Sequence, residues 1–284
     1  MSSSALWLFS GKSRHLPNSP KTKTNEGAQR ACQFAAPRTG RHEVPATMGA
    51  VGTLGYLLIG CGPAAVIFAT RIASRPFLVV LTFTSCASWI LCATVLALPL
   101  AFFLPLGAEE AYVLPFIVYV ACHEACRRLM WTSQTRWMAG ALDAIARHFG
   151  YRKVSGGDSM NMHLAWGLGQ GIARGIFFFA ANTVVAAGPG TLYTESCPSV
   201  PYFLSTALLS LAFVSIHTSV MLLDFHRELE SDGGALSSAA SAAPALAGVL
   251  TLGNLVQDGC VVVLPTLVTL ALALVWHTVK ALKQ

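Results

Sequence analysis

The side chains able to do chemistry here are polar groups embedded in long apolar runs. Glu124, Arg127 and Arg128 stand in VYVACHEACRRLMW, Arg174 in HLAWGLGQGIARGIFFF, His217 in LAFVSIHTSVMLL, and Asn254, Gln257 and Asp258 in GNLVQD. A charged side chain at a bilayer centre costs about 2.5–3.5 kcal/mol on insertion scales, so such groups turn toward protein or water and mark function. Glu124 precedes Arg127 by three residues and Arg128 by four, so either pair can meet on a helix surface. Asn254, Gln257 and Asp258 fall at helical spacing and read as one polar stripe. By charge, Arg174 can answer to Glu124 or Asp258. The set reads as the lining of a hydrated cavity. A plainer reading also stands, in which Glu124 and the arginines mark a helix end at the interface and Arg174 snorkels to the cytosolic edge.

Catalytic patterns are missing. No serine lies in a G-x-S-x-G context, no H-E-x-x-H offers zinc ligands, and no phosphate-binding glycine loop is present. Asp158, in Ser155-Gly156-Gly157-Asp158, reads as part of a polar loop without a second aspartate to share a proton. Cys122, His123 and Cys126 lack a fourth ligand for a metal clip. Of eight cysteines most lie in apolar runs, Cys260 included, and only Cys197 falls in an exposed loop beyond the leader; no disulfide framework is expected. The expectation is a chain with no catalytic residue, metal or cofactor of its own, and no nucleic-acid partner.

These residues need helices to hold them in lipid. The 284-residue chain is 54% hydrophobic and 11% charged, with mean hydropathy +0.57; soluble domains carry about 25% charged residues. The fold class is therefore all-α, a polytopic membrane protein. About 20 apolar residues cross a bilayer, and seven such segments occur at roughly 49–70, 77–106, 111–133, 160–187, 201–224, 244–264 and 265–282. The last two are parted only by Pro265, so the turn there is very tight or one segment is shortened or re-entrant. Basic residues recur in alternate connections: Arg71 and Arg75, then Arg136, Arg147, Arg152 and Lys153, then Arg227, then Lys280 and Lys283. Glu109, Glu110 and Glu195 occupy the others, which puts the C-terminus in the cytosol and the N-terminus in the lumen. Residues 1–47 carry seven of the nineteen Lys and Arg, are rich in Ser, Thr and Pro, and cannot bury a core. They read as a basic leader or as sequence upstream of a true start at Met48. Seven basic residues on the lumenal side conflict with the charge rule, which favours Met48. Residues 48–284 form the transmembrane domain.

Gly167, Gly171 and Gly175 return to one face of the fourth segment. Within lipid, helices associate by close backbone approach, which glycine permits. The spacing predicts a helix–helix interface, with the partner either internal or another chain.

Taken together, these features resemble the anterior-pharynx-defective-1 family, the seven-span scaffold subunit of γ-secretase. The likeness runs from MGAVGTLGYLLIGCGPAAVIFA (Met48–Ala69) through Glu124 and Arg127, the three glycines, GPG at Gly188–Gly190, and PYFLSTALL and IHTSVMLLDF around His217. The resemblance implies glycines that support assembly, and an intramembrane acid, matched by Glu124, near two histidines that support presenilin association. Of those histidines, His217 matches the first, while Asn254 stands at the second. Arg174 stands where the family has a small residue, and the loop between the last two spans is shortened. The implied partners are a presenilin-type aspartyl protease, a nicastrin-like single-span glycoprotein and a presenilin-enhancer-like small subunit. The implied location is the endoplasmic reticulum, Golgi and endosomal or plasma membrane. The alternative function is a small ion or proton transporter using Glu124, His217, Asn254 and Asp258 as its polar path.

Overall fold

The computed structural model describes residues 47–103, 113–149, 156–177, 196–229 and 240–283. The leader up to residue 46 and the Gly188-Pro189-Gly190 break lie outside them. The described residues form seven α-helices: α1 (Thr47–Ile67), α2 (Pro76–Phe103), α3 (Val113–Phe149), α4 (Gly156–Gly175), α5 (Tyr202–Leu229), α6 (Ala243–Leu250) and α7 (Cys260–Ala281). A π turn, Phe68–Ile72, extends α1, and a 3-10 turn, Thr251–Leu255, extends α6.

Four helices are long and apolar enough to cross a membrane: Leu54–Ile72, Pro76–Pro99, Tyr202–Arg227 and Cys260–Ala281. Seven crossings were expected; the described residues form seven α-helices, and three of these lack that length or composition. The reason differs among the three. Helix α3 is long enough at 37 residues but carries the charges of the polar cluster and runs well past residue 133, where its span was expected to end. Helix α4 is enclosed. It packs against α5 on one side and α2 on the other, with further contacts to α1. Its residues from Ala165 to Gly171 are all buried. A helix screened from lipid by its neighbours does not need an apolar surface.

Helix α6 is short. Eight α residues and five 3-10 residues reach only about 22 Å, against about 30 Å of hydrocarbon. The expected break at Pro265 is displaced. Pro265 lies inside α7, in its second turn, where it removes one i→i−4 hydrogen bond without ending the helix. The chain turns instead at Val256, which is extended, and Asp258, whose φ is 57°. Gly259 allows the return: a Cβ there would collide with the carbonyl oxygen of Gly253. Of the two readings open at this point, the shortened sixth segment is the observed one.

The same turn corrects the cysteine expectation. Cys197, just before α5, and Cys260, the first residue of α7, are joined by a disulfide with their Cα atoms 6.0 Å apart. The Asp258 N–H donates to the Ser196 carbonyl at 2.7 Å beside it. Cys260 looked like a small apolar core residue because VVVL follows it. Its position at the helix start, invisible in composition, brings it to Cys197.

Two clusters fill the interior. One joins Phe213, Ile216 and Val220 of α5 to Leu264, Leu267 and Ala271 of α7. The other joins Leu78 and Leu81 of α2, Trp131 and Met138 of α3, and Ala165, Trp166 and Leu168 of α4. The large apolar side chains left exposed, such as Phe83, Leu114, Leu129, Val262, Leu272 and Trp276, belong to outward faces of α2, α3 and α7 that suit lipid.

Candidate functional site

The three glycines of α4 face α5 of the same chain. A Cβ at Gly167 would lie 2.9 Å from the carbonyl oxygen of His217 and from Met221 Cβ. One at Gly171 would lie 2.7 Å from the Cα of Val214, and one at Gly175 2.6 Å from Ser210 Oγ. Contacts descend in α5 as they ascend in α4, so the helices run antiparallel with backbone almost touching backbone. Gly169, on the opposite side of α4, gives the same approach to α2: a Cβ there would collide with the Thr82 carbonyl oxygen, and the Ser85 hydroxyl donates to the Trp166 carbonyl at 2.6 Å. The periodicity therefore located an interface, and its occupant is internal.

This tight core holds the polar cluster. Glu124 and Arg127 are 5% and 3% exposed, far from the solvated helix end that was the plainer reading. Arg127 Nε donates to both carboxylate oxygens of Glu124, at 2.9 and 3.0 Å, and its Nη1 meets Met221 Sδ at 3.1 Å. Arg128 shares Glu124 at 3.3 Å and donates to the Ser241 carbonyl at 2.6 Å, tying α3 to the chain entering α6. A buried pair of this kind is costly to break, about 3–5 kcal/mol, because the survivor is left charged and unpaired.

Arg174 is buried, not snorkelled. Its guanidinium carbon lies 5.0 Å from the Phe213 ring centroid and 5.7 Å from that of Trp89. Glu124 is the carboxylate that acts on it across the cluster. Asp258 does not, since it is exposed at the turn before α7. The polar stripe expected of Asn254, Gln257 and Asp258 is likewise absent: the helix ends at Leu255, and Gln257 and Asp258 are exposed.

His217 is 1% exposed, and neither of its ring nitrogens has a hydrogen-bond partner among the described residues. Asn254 sits in the 3-10 turn with its Oδ1 buried and unpartnered. The two are thus not bonded through these atoms. A different histidine joins the site. His123, weighed in the sequence only as a metal ligand, is 2% exposed and stacks edge-on against Trp89 at 5.3 Å. Its place beside Glu124 was a usable signal. Trp89, in an apolar stretch of α2, gave none.

Glu124, Arg127, Arg174, His123 and His217 thus converge from α3, α4 and α5, while Asp258 stands apart. The described residues bring an ion pair, a further arginine and two histidines together where three helices meet.

The family model described as Aph-1 protein matches residues 51–284. The chain belongs to the Aph-1 family. It is also similar to a protein of Arabidopsis thaliana named gamma-secretase subunit APH1-like, 34% identical over 234 residues, which cover 81% of this chain and 92% of that relative. The match spans every described helix of this Aph-1 protein from Val51 onward, so the glycine contact and the charge cluster both lie within the family's own region. The apolar helices make it a membrane protein.

Proposed function

We propose that this Aph-1 protein is a non-catalytic scaffold subunit of a γ-secretase-like intramembrane aspartyl protease complex. The observation that carries the reading is family membership over residues 51–284, together with a relative named as a gamma-secretase subunit. The outward apolar faces of α1, α2, α3 and α7 offer surfaces to partner helices, while the buried cluster fixes the angles among α3, α4 and α5. The partners are a presenilin-type protease, a nicastrin-like glycoprotein and a presenilin-enhancer-like small subunit. The substrates, those of the whole complex, are stubs of single-span membrane proteins. The chain resides in the endoplasmic reticulum, Golgi and endosomal or plasma membranes.

In this reading the N-terminus is lumenal and the C-terminus cytosolic. The Cys197–Cys260 disulfide supports that orientation, because disulfides persist in the oxidising lumen and both cysteines belong to the end that the charge rule assigns there. The ion-conducting alternative is not favoured by the family.

Affinity purification of the tagged chain from its own membrane tests the proposal. Co-purification of an aspartyl protease with activity on single-span stubs is the expected result. Recovery of the chain alone, moving protons or ions in liposomes, overturns it.

A further inference from the structure

The seam between α2 and α3 gathers sulfur. Cys92 of α2 is 5% exposed, and its thiol donates to the Met130 thioether of α3 at 3.8 Å. The Cys126 thiol, one turn before Met130, makes a second side-chain contact with Cys92. Cys126 and Met130 are half-buried. Residues four apart share a helix face, so α3 turns both of its sulfurs toward the one on α2. The sequence had offered a different set, Cys122 and His123 with Cys126. In the structure His123 stacks on Trp89 and Cys122 is exposed. Among the described residues no three His, Cys, Asp or Glu side chains group for a metal; the third member of the present set is a thioether.

Two thiols and a thioether form a soft donor set. Cysteine and methionine sulfurs select Cu(I), whereas carboxylate and carbonyl oxygens suit Mg, Ca and Mn. The spacing fits such an ion. A metal about 2.3 Å from each of three sulfurs holds them about 4 Å apart in a plane, and Cys92 and Met130 stand 3.8 Å apart. Packing alone asks for apolar volume at each position; it does not ask that all three volumes be sulfur. An entry route is also present. Cys122, Cys126 and Met130 recur at four-residue spacing along one face of α3, and Cys122 is the exposed end of that row.

We propose that Cys92, Cys126 and Met130 form a binding site for one Cu(I) ion that staples α2 to α3. The ion binds without changing its oxidation state. Thiolates are the ligating form of cysteine, so each coordinating thiol releases its proton to solvent as the metal enters. The thioether contributes a lone pair and has no proton to lose. Both cysteines are free thiols, so no disulfide has to open first. Helix α2 packs less extensively against α3 than against α4, so a metal bridge constrains the looser of its two seams. The site uses side chains of this chain alone and does not depend on which proteins assemble with it.

The full chain, purified in its native membrane assembly and stripped with a chelator, is loaded with Cu(I) under ascorbate and titrated with bathocuproine disulfonate. The wild-type assembly should retain one Cu(I) more than the Cys92→Ala assembly. The difference X-ray absorption spectrum between the two should show a metal ligated by sulfur alone. Peptide mapping should find Cys92 and Cys126 shielded from alkylation by the bound ion. Met130→Leu, which keeps the apolar volume and removes the thioether, should release Cu(I) at a severalfold lower chelator concentration. Equal copper in wild type and Cys92→Ala, nitrogen or oxygen ligands in the difference spectrum, unshielded Cys92 and Cys126, or retention unchanged by Met130→Leu would each overturn the proposal. If Cys92→Ala fails to assemble, the alkylation map and the comparison of Met130→Leu with wild type decide.

Discussion

Glu124 is held in the protein interior by Arg127, which donates to both of its carboxylate oxygens, and by Arg128 from the next turn. Glu124→Gln should therefore lower the stability of the purified assembly by about 3–5 kcal/mol, since it strands Arg127. The double change Glu124→Gln with Arg127→Met should recover a large part of that loss, because no charge is then left unpaired. Thermal unfolding of wild type, both single variants and the double variant checks this; additive losses would contradict the buried pair. The glycines make a finer prediction. A Cβ at Gly171 meets the Val214 backbone, which cannot withdraw, whereas one at Gly175 meets the Ser210 hydroxyl, which can be trimmed. Gly171→Ala should thus reduce assembly even with Val214→Ala, while Gly175→Ala should be milder and be restored by Ser210→Gly. Native gels of the four variants distinguish the two outcomes.

At the level of elements, the α4–α5 pair owes its closeness to glycine, and the α6–α7 turn owes its compactness to Gly259 and the disulfide. Helix α6 is too short to cross, so its end must be secured in protein or at the interface rather than left in hydrocarbon, where bare backbone polar groups cost several kcal/mol. The Cys197–Cys260 link and the Asp258-to-Ser196 hydrogen bond secure it. A crosslink closing a loop of this order stabilises typically by 2–4 kcal/mol. Replacing both cysteines by serine should lower the unfolding midpoint and make the turn at Gln257 more accessible to proteases. Alkylation before and after reduction should reveal two additional reactive thiols in the wild type only. Equal thiol counts before and after reduction would contradict the bond.

For the whole molecule, orientation is the property to test. Arg75 and Asp158 form an exposed ion pair at 2.9 Å at one end of the bundle, while the Ser196–Asp258 turn closes a different connection. Charge alternation assigns the first to the cytosol and the second to the lumen. A cysteine placed at Arg75 should react with an impermeant maleimide only after the cytosolic face is opened, and one placed at Gln257 only from the lumenal face. The reverse pattern would invert the topology while leaving the fold untouched.

The helical class, the glycine spacing and the polar residues of α3, α4 and α5 were legible in the residues themselves. Hydropathy, charge alternation and four-residue spacing are local properties, set by the bilayer and by helix geometry. Other features depend on which surfaces meet, and no window of sequence records that. It took the packed bundle to give the glycines to α5 rather than to another chain, to place Trp89 and His123 beside Arg174, and to pair Cys197 with Cys260 across 63 residues. It also removed Asp258 from the cluster, because the extended backbone at Val256 ended the helical register on which the stripe depended. Burial decided the remaining ambiguity: the same Glu-x-x-Arg would be an ordinary surface pair at a helix end, and becomes a structural centre only when three helices close over it.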